Sequence, residues 1–186
     1  MYQRICTVPM LLTMVRLFSP LIMPLLIIYW WPLDTALPHV ALVAVFLLLG
    51  LTDVLDGYLA RRFGEVTKLG QILDPIADKF LVISSLMALL SVGAIGFTWV
   101  LILVLREFFV MGLRYVACEH GVTLAVSFVS KIKTWLQLSL ILYVLSSLGF
   151  SIVYYGLLFA TVGCSLYAAY AYYLICLTTV FRTYDF

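Results

Sequence analysis

The amino-acid sequence predicts an all-α, polytopic membrane protein with six transmembrane helices. Three observations carry that reading. Of the 186 residues, 65% are hydrophobic against 11% charged, where a soluble domain ordinarily carries about a quarter of charged residues. Six separate apolar runs are each long enough to cross hydrocarbon, and the basic residues gather at alternate ends of those runs. At about 20 residues per crossing plus a short turn, the chain has room for about six crossings and for no large extramembrane domain. One integral-membrane domain over residues 1–186 is therefore expected.

In order, the runs are residues 8–31, 40–59, 72–92, 97–117, 132–150 and 152–180. Lipid offers no hydrogen bonds, so each must satisfy its own backbone as a helix. In the first run Pro20 and Pro24 each remove a backbone donor and crowd the preceding turn, which predicts a bend for packing. No small-residue cleavage site follows the early arginine, so this first span is expected to stay on the protein. The connections at 30–39, 91–98 and 148–152 carry Asp34 and no lysine or arginine. Arg4, Arg61, Arg62, Lys68, Arg114, Lys131, Lys133 and Arg182 fall at or near the opposite ends. That asymmetry is the positive-inside pattern, and it predicts a multi-pass protein of the cell (inner) membrane with both termini cytoplasmic. Trp30, Trp31 and Trp99 sit near span ends, where an aromatic ring anchors at the interface.

A formal charge of +2, with no run of five like charges, excludes a nucleic-acid partner. Cys6, Cys118, Cys164 and Cys176 form no C-x-x-C pair, so neither a disulfide framework nor a zinc site is expected and the cysteines read as packing residues. No internal repeat or low-complexity linker is visible.

Four aspartates break the apolar pattern. Asp53 and Asp56 lie in the second run, and Asp74 and Asp78 open the third. A charge at mid-bilayer depth costs about 3 kcal/mol or more, so each needs a reason. At 100° per residue, Asp53, Asp56, Gly57 and Ala60 share one helix face, and Gly70, Asp74 and Asp78 share one on the next helix. Counted inward from Arg61, Asp56 and Asp53 are five and eight residues deep; from Gly70, Asp74 and Asp78 are four and eight. The deeper two then lie about 12 Å and the shallower two about 6 to 8 Å below the helix ends, so on antiparallel neighbours all four can meet. Four carboxylates this close cannot all ionise without positive charge, and Lys79, next to Asp78, points elsewhere. Oxygen-only ligands favour Mg²⁺, Mn²⁺ or Ca²⁺ over zinc, and four carboxylates can bridge two ions. Gly57, Ala60 and Gly70 leave that face without bulk, which lets a ligand approach the backbone. A D-x-x-D pair alone would read as the cation site of a transporter; the second pair argues for metal-assisted chemistry on a phosphate.

Written out, Asp53-x2-Asp56-Gly57-x2-Ala60-Arg61-x8-Gly70-x3-Asp74-x3-Asp78 resembles the signature of the CDP-alcohol phosphotransferase family at every position. Eight such matches arise by chance on the order of once in 10⁹ to 10¹⁰ starting positions. The segments LGQILDPIADK at 69–79, LREFFVMGLR at 105–114 and SKIKT at 130–134 are similar to the branch of that family whose acceptor is glycerol 3-phosphate. With Thr13 and Arg16 of the first span, the likeness covers about residues 9–140. One departure is Met10, in Pro9-Met10-Leu11-Leu12-Thr13-Met14-Val15-Arg16, where many relatives carry asparagine; methionine cannot make an asparagine's hydrogen bonds.

The resemblance implies an integral-membrane homodimer that transfers the phosphatidyl group of CDP-diacylglycerol to sn-glycerol 3-phosphate, giving phosphatidylglycerophosphate and CMP. It implies a site near the cytoplasmic end of the bundle holding Mg²⁺ or Mn²⁺, with two ions expected. Asp53, Asp56 and Asp74 would be metal ligands, and Asp78 would complete the metal site and act as the general base. Asp56, Gly57, Ala60, Arg61 and Gly70 would border the cytidine diphosphate. A dianionic acceptor asks for a further basic site, and Arg106, Arg114, Lys131 and Lys133 are the candidates for its phosphate. Glu107 points about 100° from Arg106 and reads as a partner of another helix; His120 reads as a loop residue. Two alternatives remain open on the residues: another acceptor, such as inositol phosphate, serine or phosphatidylglycerol, and an ion-coupled transporter.

Overall fold

In a computed structural model, the backbone is described for residues 20–33, 35–63, 68–119 and 128–184, and side chains for 20–33, 35–51, 79–117 and 128–178. The described residues are helical and contain no strand. Helix α1 covers residues 20–30 and tightens into a 3-10 turn at Trp31–Leu33. It is followed by α2 (Ala36–Phe63), α3 (Lys68–Ser91), α4 (Phe97–Glu119), α5 (Phe128–Leu145) and α6 (Ser151–Tyr184). Contacts gather the chain into two compact units. The first comprises Met1–Ile95 with Leu145–Ser147, and the second Gly96–Val144 with Leu148–Phe186.

Local chemistry explains where the helices stop. After α3, Gly93 takes φ +75°, its N–H donates to the Leu90 carbonyl at 3.0 Å, and the Ala94 N–H donates to the Leu89 carbonyl at 2.9 Å. These two bonds close the end of the helix as a Schellman motif, with glycine at the left-handed position. Gly96 then caps α4, its carbonyl accepting from the Trp99 and Val100 N–H groups. Helix α5 ends at Leu145 rather than reaching residue 150 as the apolar run suggests, because Ser147 (φ 51°) and Gly149 (φ 73°) turn the chain in between. Helix α2 starts at Ala36, four residues before the apolar run. Thr35 stands at the N-cap position and Pro38 in the first turn, where a missing N–H costs nothing.

In the first unit the buried apolar residues repeat at helical spacing: Met23 and Ile27 on α1, Leu42 and Phe46 on α2, Leu81 and Leu89 on α3. His39, buried in the first turn of α2, donates from Nδ1 to the Leu145 carbonyl at 3.2 Å and packs edge-on against Trp31. A last-turn carbonyl that its own helix cannot satisfy thus finds a donor.

In the second unit, side-chain to backbone bonds fix the directions. Arg106 reaches Ser165, and Cys176 reaches Leu113, so α4 and α6 run parallel; Thr161 reaches Leu136 and Cys164 reaches Val129, so α5 runs against them. Val110, Ala169 and Tyr172 form an apolar core between α4 and α6. Phe128–Leu145 and Ser151–Thr178 are each long and apolar enough to cross a membrane. Helix α4 is as long, but carries Arg106, Glu107 and Arg114 along its length. Large apolar side chains stand exposed on every helix, among them Tyr29, Leu37, Phe80, Phe109, Trp135 and Ile152. Helices apolar on their outer as well as their inner faces suit hydrocarbon, not water.

Candidate functional site

All eight signature residues fall on regular helix: Asp53, Asp56, Gly57, Ala60 and Arg61 on α2, and Gly70, Asp74 and Asp78 on α3. The helical backbone keeps Asp53 and Asp56 about 60° apart around their axis, and Asp74 and Asp78 about 40°. Each pair therefore shares a face, as the spacing predicts. The side chains of residues 52–78 lie outside the described residues, as do residues 1–19, with Met10 and Arg16, and His120. As a donor set, four carboxylates fit a hard divalent cation.

In the second unit Arg106, Arg114, Lys131 and Lys133 are among the described residues, and the side chain of Arg182 is not. Arg106 is 6% exposed, Glu107 5% and Lys133 6%. Arg106 Nη1 donates to Glu107 Oε1 at 3.0 Å, and Nε donates to the Ser165 carbonyl at 2.9 Å. Lys133 Nζ, reaching across from α5, donates to the same Glu107 oxygen. One carboxylate oxygen thus gathers both cations. Glu107 does partner another helix, as expected, and it also bonds its neighbour Arg106. A trio with a formal net charge of one positive is therefore held away from solvent.

Two of the predicted phosphate ligands stand apart from this trio. Arg114 lies two turns beyond Arg106, where Nη2 donates to Tyr172 Oη at 2.8 Å and the guanidinium stacks over the Tyr172 ring at 5.1 Å. Lys131 is exposed, because two residues on a helix are about 200° and Lys133 already takes the inner face. The structure thus joins Arg106 to Lys133, and does not bring Arg114 or Lys131 to their shared carboxylate.

Sequence reading missed the polar stripe around the trio. On α5 the buried face runs Lys133, Gln137, Leu140, Ile141, Val144, polar at one end only; on α6 it runs Leu158, Thr161, Val162, Ser165, Ala168. Four-residue spacing of Lys133 with Gln137, and of Thr161 with Ser165, is the signal that finds it. Cys164 and Cys176 are free thiols, and Cys6 and the side chain of Cys118 lie outside the described residues.

A family model described as CDP-alcohol phosphatidyltransferase matches residues 6–180. The chain belongs to that family. As a CDP-alcohol phosphatidyltransferase family member it is an enzyme, and the transporter reading is set aside. Relatives include the CDP-diacylglycerol–glycerol-3-phosphate 3-phosphatidyltransferase of Bacillus subtilis, 39% identical over 56% of this chain and 55% of that protein. Proteins of the same name from Rickettsia bellii and Rickettsia typhi are 36% and 32% identical. They are matched over 80% and 91% of this chain and 81% and 97% of their own lengths. The alignment to the Bacillus protein thus spans about half of its length, and those to the Rickettsia proteins most of theirs.

Proposed function

We propose that this family member transfers the phosphatidyl group of CDP-diacylglycerol to sn-glycerol 3-phosphate, releasing CMP and forming phosphatidylglycerophosphate. The observation that carries this reading is the shared name of relatives matched over four fifths or more of their length. The buried, net positive trio of Arg106, Glu107 and Lys133 supports it, since a phosphorylated acceptor needs such charge and a neutral alcohol does not.

Asp53, Asp56, Asp74 and Asp78 hold the divalent cations, Mg²⁺ or Mn²⁺, expected as two. When bound, such ions screen the anionic oxygens of the pyrophosphate and stabilise the CMP leaving group. Asp56, Gly57, Ala60, Arg61 and Gly70 border the cytidine diphosphate, small residues admitting it and Arg61 supplying positive charge. Asp78 accepts the proton of the acceptor hydroxyl as that oxygen attacks phosphorus. Arg106 and Lys133 bind the acceptor phosphate, with Arg114 and Lys131 contributing positive potential farther out.

The protein crosses the membrane six times with both termini cytoplasmic, and works as a homodimer. The family match runs through both compact units, which supports one domain over residues 1–186. Its diacylglycerol tails can then stay in the leaflet while the headgroup reaches the site.

The test is an acceptor panel on detergent-purified protein, scoring CMP released from CDP-diacylglycerol with Mg²⁺ or Mn²⁺. Glycerol 3-phosphate is expected to support release, and chelation of the metal to abolish it. Preference for inositol phosphate, serine or phosphatidylglycerol would keep the family and replace the acceptor.

A further inference from the structure

Arg106 and Lys133 arrive on different helices, and like charges in a low-dielectric interior do not stay together unaided. Glu107 resolves this with a single atom, Oε1, which accepts from Arg106 Nη1 and from Lys133 Nζ. The guanidinium is pinned at a second corner, where Nε donates to the Ser165 carbonyl of α6. Its plane is therefore fixed by two helices, and Lys133 is tied to the same point. The surroundings are set for a ligand rich in oxygen. The Ser165 hydroxyl, 0% exposed, and the amide nitrogen of Gln137, 3% exposed and one turn along α5 from Lys133, have no hydrogen-bond partner among the described residues. Buried polar atoms ordinarily find partners, so two unsatisfied groups near a net positive trio mark a place for an anionic, hydroxyl-bearing molecule.

We propose that Glu107 is a positioning residue, which holds Arg106 and Lys133 together as a preformed receptor for the acceptor phosphate and so makes the enzyme selective for a phosphorylated over a neutral polyol. This rests on the acceptor reading given above. Removing the carboxylate does not yield a stronger anion site. Without it the Lys133 ammonium, on a flexible four-carbon stem, is no longer tied to the atom that holds Arg106, and Arg106 loses one of its two fixed corners.

The experiment uses detergent-purified full-length protein, glycerol 3-phosphate titrated at saturating CDP-diacylglycerol, and glycerol as the neutral comparison. Glu107→Gln is expected to raise KM for glycerol 3-phosphate tenfold or more, lower kcat less than threefold, and leave KM for CDP-diacylglycerol unchanged. The charge-balanced double variant Glu107→Gln, Lys133→Met keeps the net charge of the trio. It is expected to recover the wild-type melting temperature while KM for glycerol 3-phosphate stays raised. A KM within twofold of wild type in the single variant overturns the proposal. So does a double variant in which melting temperature and KM both recover, since neither Lys133 nor the carboxylate that holds it would then serve the acceptor phosphate. Should the single variant not fold, the readouts are taken on Glu107→Asp, which keeps the charge and withdraws the oxygen by one methylene. A threefold or greater rise in KM supports the proposal there, and a smaller one overturns it. Wild-type protein that uses glycerol as well as glycerol 3-phosphate would refute the acceptor reading itself, whatever the variants do.

Discussion

Asp78 is the residue on which the proposed chemistry turns, because it is assigned two tasks, metal ligand and proton acceptor. Asparagine keeps its shape and removes both the negative charge and the basicity. Asp78→Asn is therefore expected to lower CMP release at least about 10²-fold, the lower end of what general base catalysis contributes, without lowering the melting temperature. Turnover near wild type in the folded variant would remove the base. The aspartates and Arg106 were legible in the sequence for one reason: ionisable groups in apolar helices are costly, so each is conspicuous. Glu107 was legible only in part. Spacing on an isolated helix puts it about 100° from Arg106, yet an arginine side chain is long enough to turn back, and the pair is bonded at 3.0 Å. Side-chain reach, set by packing against α5 and α6, is not written in residue spacing.

At the scale of elements, the ends of α3 and α5 show what glycine does here. Gly93 and Gly149 hold φ +75° and +73°, and a Cβ added at either would meet no heavy atom within 4 Å. The cost of a side chain there is backbone strain alone, with no clash to add. Gly93→Ala is expected to destabilise the protein by about 1 to 2 kcal/mol, read as an earlier transition on denaturant titration, with KM for both substrates unchanged. A loss much above this would mean that the Schellman turn supports more than the end of its helix. The apolar runs located the elements but misplaced two ends for related reasons. The fifth run extends through Ser146, Ser147, Leu148, Gly149 and Phe150, where backbone dihedrals break the helix, and the second begins only at residue 40, after a proline-containing first turn that α2 includes. Burial in lipid selects apolar residues whatever the backbone does, so composition there reports environment more sharply than it reports helix limits.

At the scale of the whole molecule, the proposed crossing pattern makes a demand that the site must obey. The proposed acceptor is a dianion and CMP would leave as an anion, so both belong to the aqueous side at which the signature-bearing ends of α2 and α3 are proposed to lie. Six crossings put the junctions of α1 with α2, α3 with α4 and α5 with α6 on one side, and these carry no lysine or arginine. On the same proposal the connections from α2 to α3 and from α4 to α5 would belong to the other side, flanked by Arg61, Arg62, Lys68, Arg114, Lys131 and Lys133. Lysine and arginine flanks stay cytoplasmic during insertion, so on the proposed six crossings the ends of α2 and α3 that carry the signature would face the cytoplasm. A cysteine introduced at Ala94, on a background in which the native cysteines are replaced, should react with a membrane-impermeant maleimide from outside intact cells. One introduced at Val122 should react only after permeabilisation. Labelling of both from the same side would break the six-crossing count. The opposite order would put the aspartates on the wrong face of the membrane for a soluble cytoplasmic acceptor, and would send the search for its substrate outside the cell.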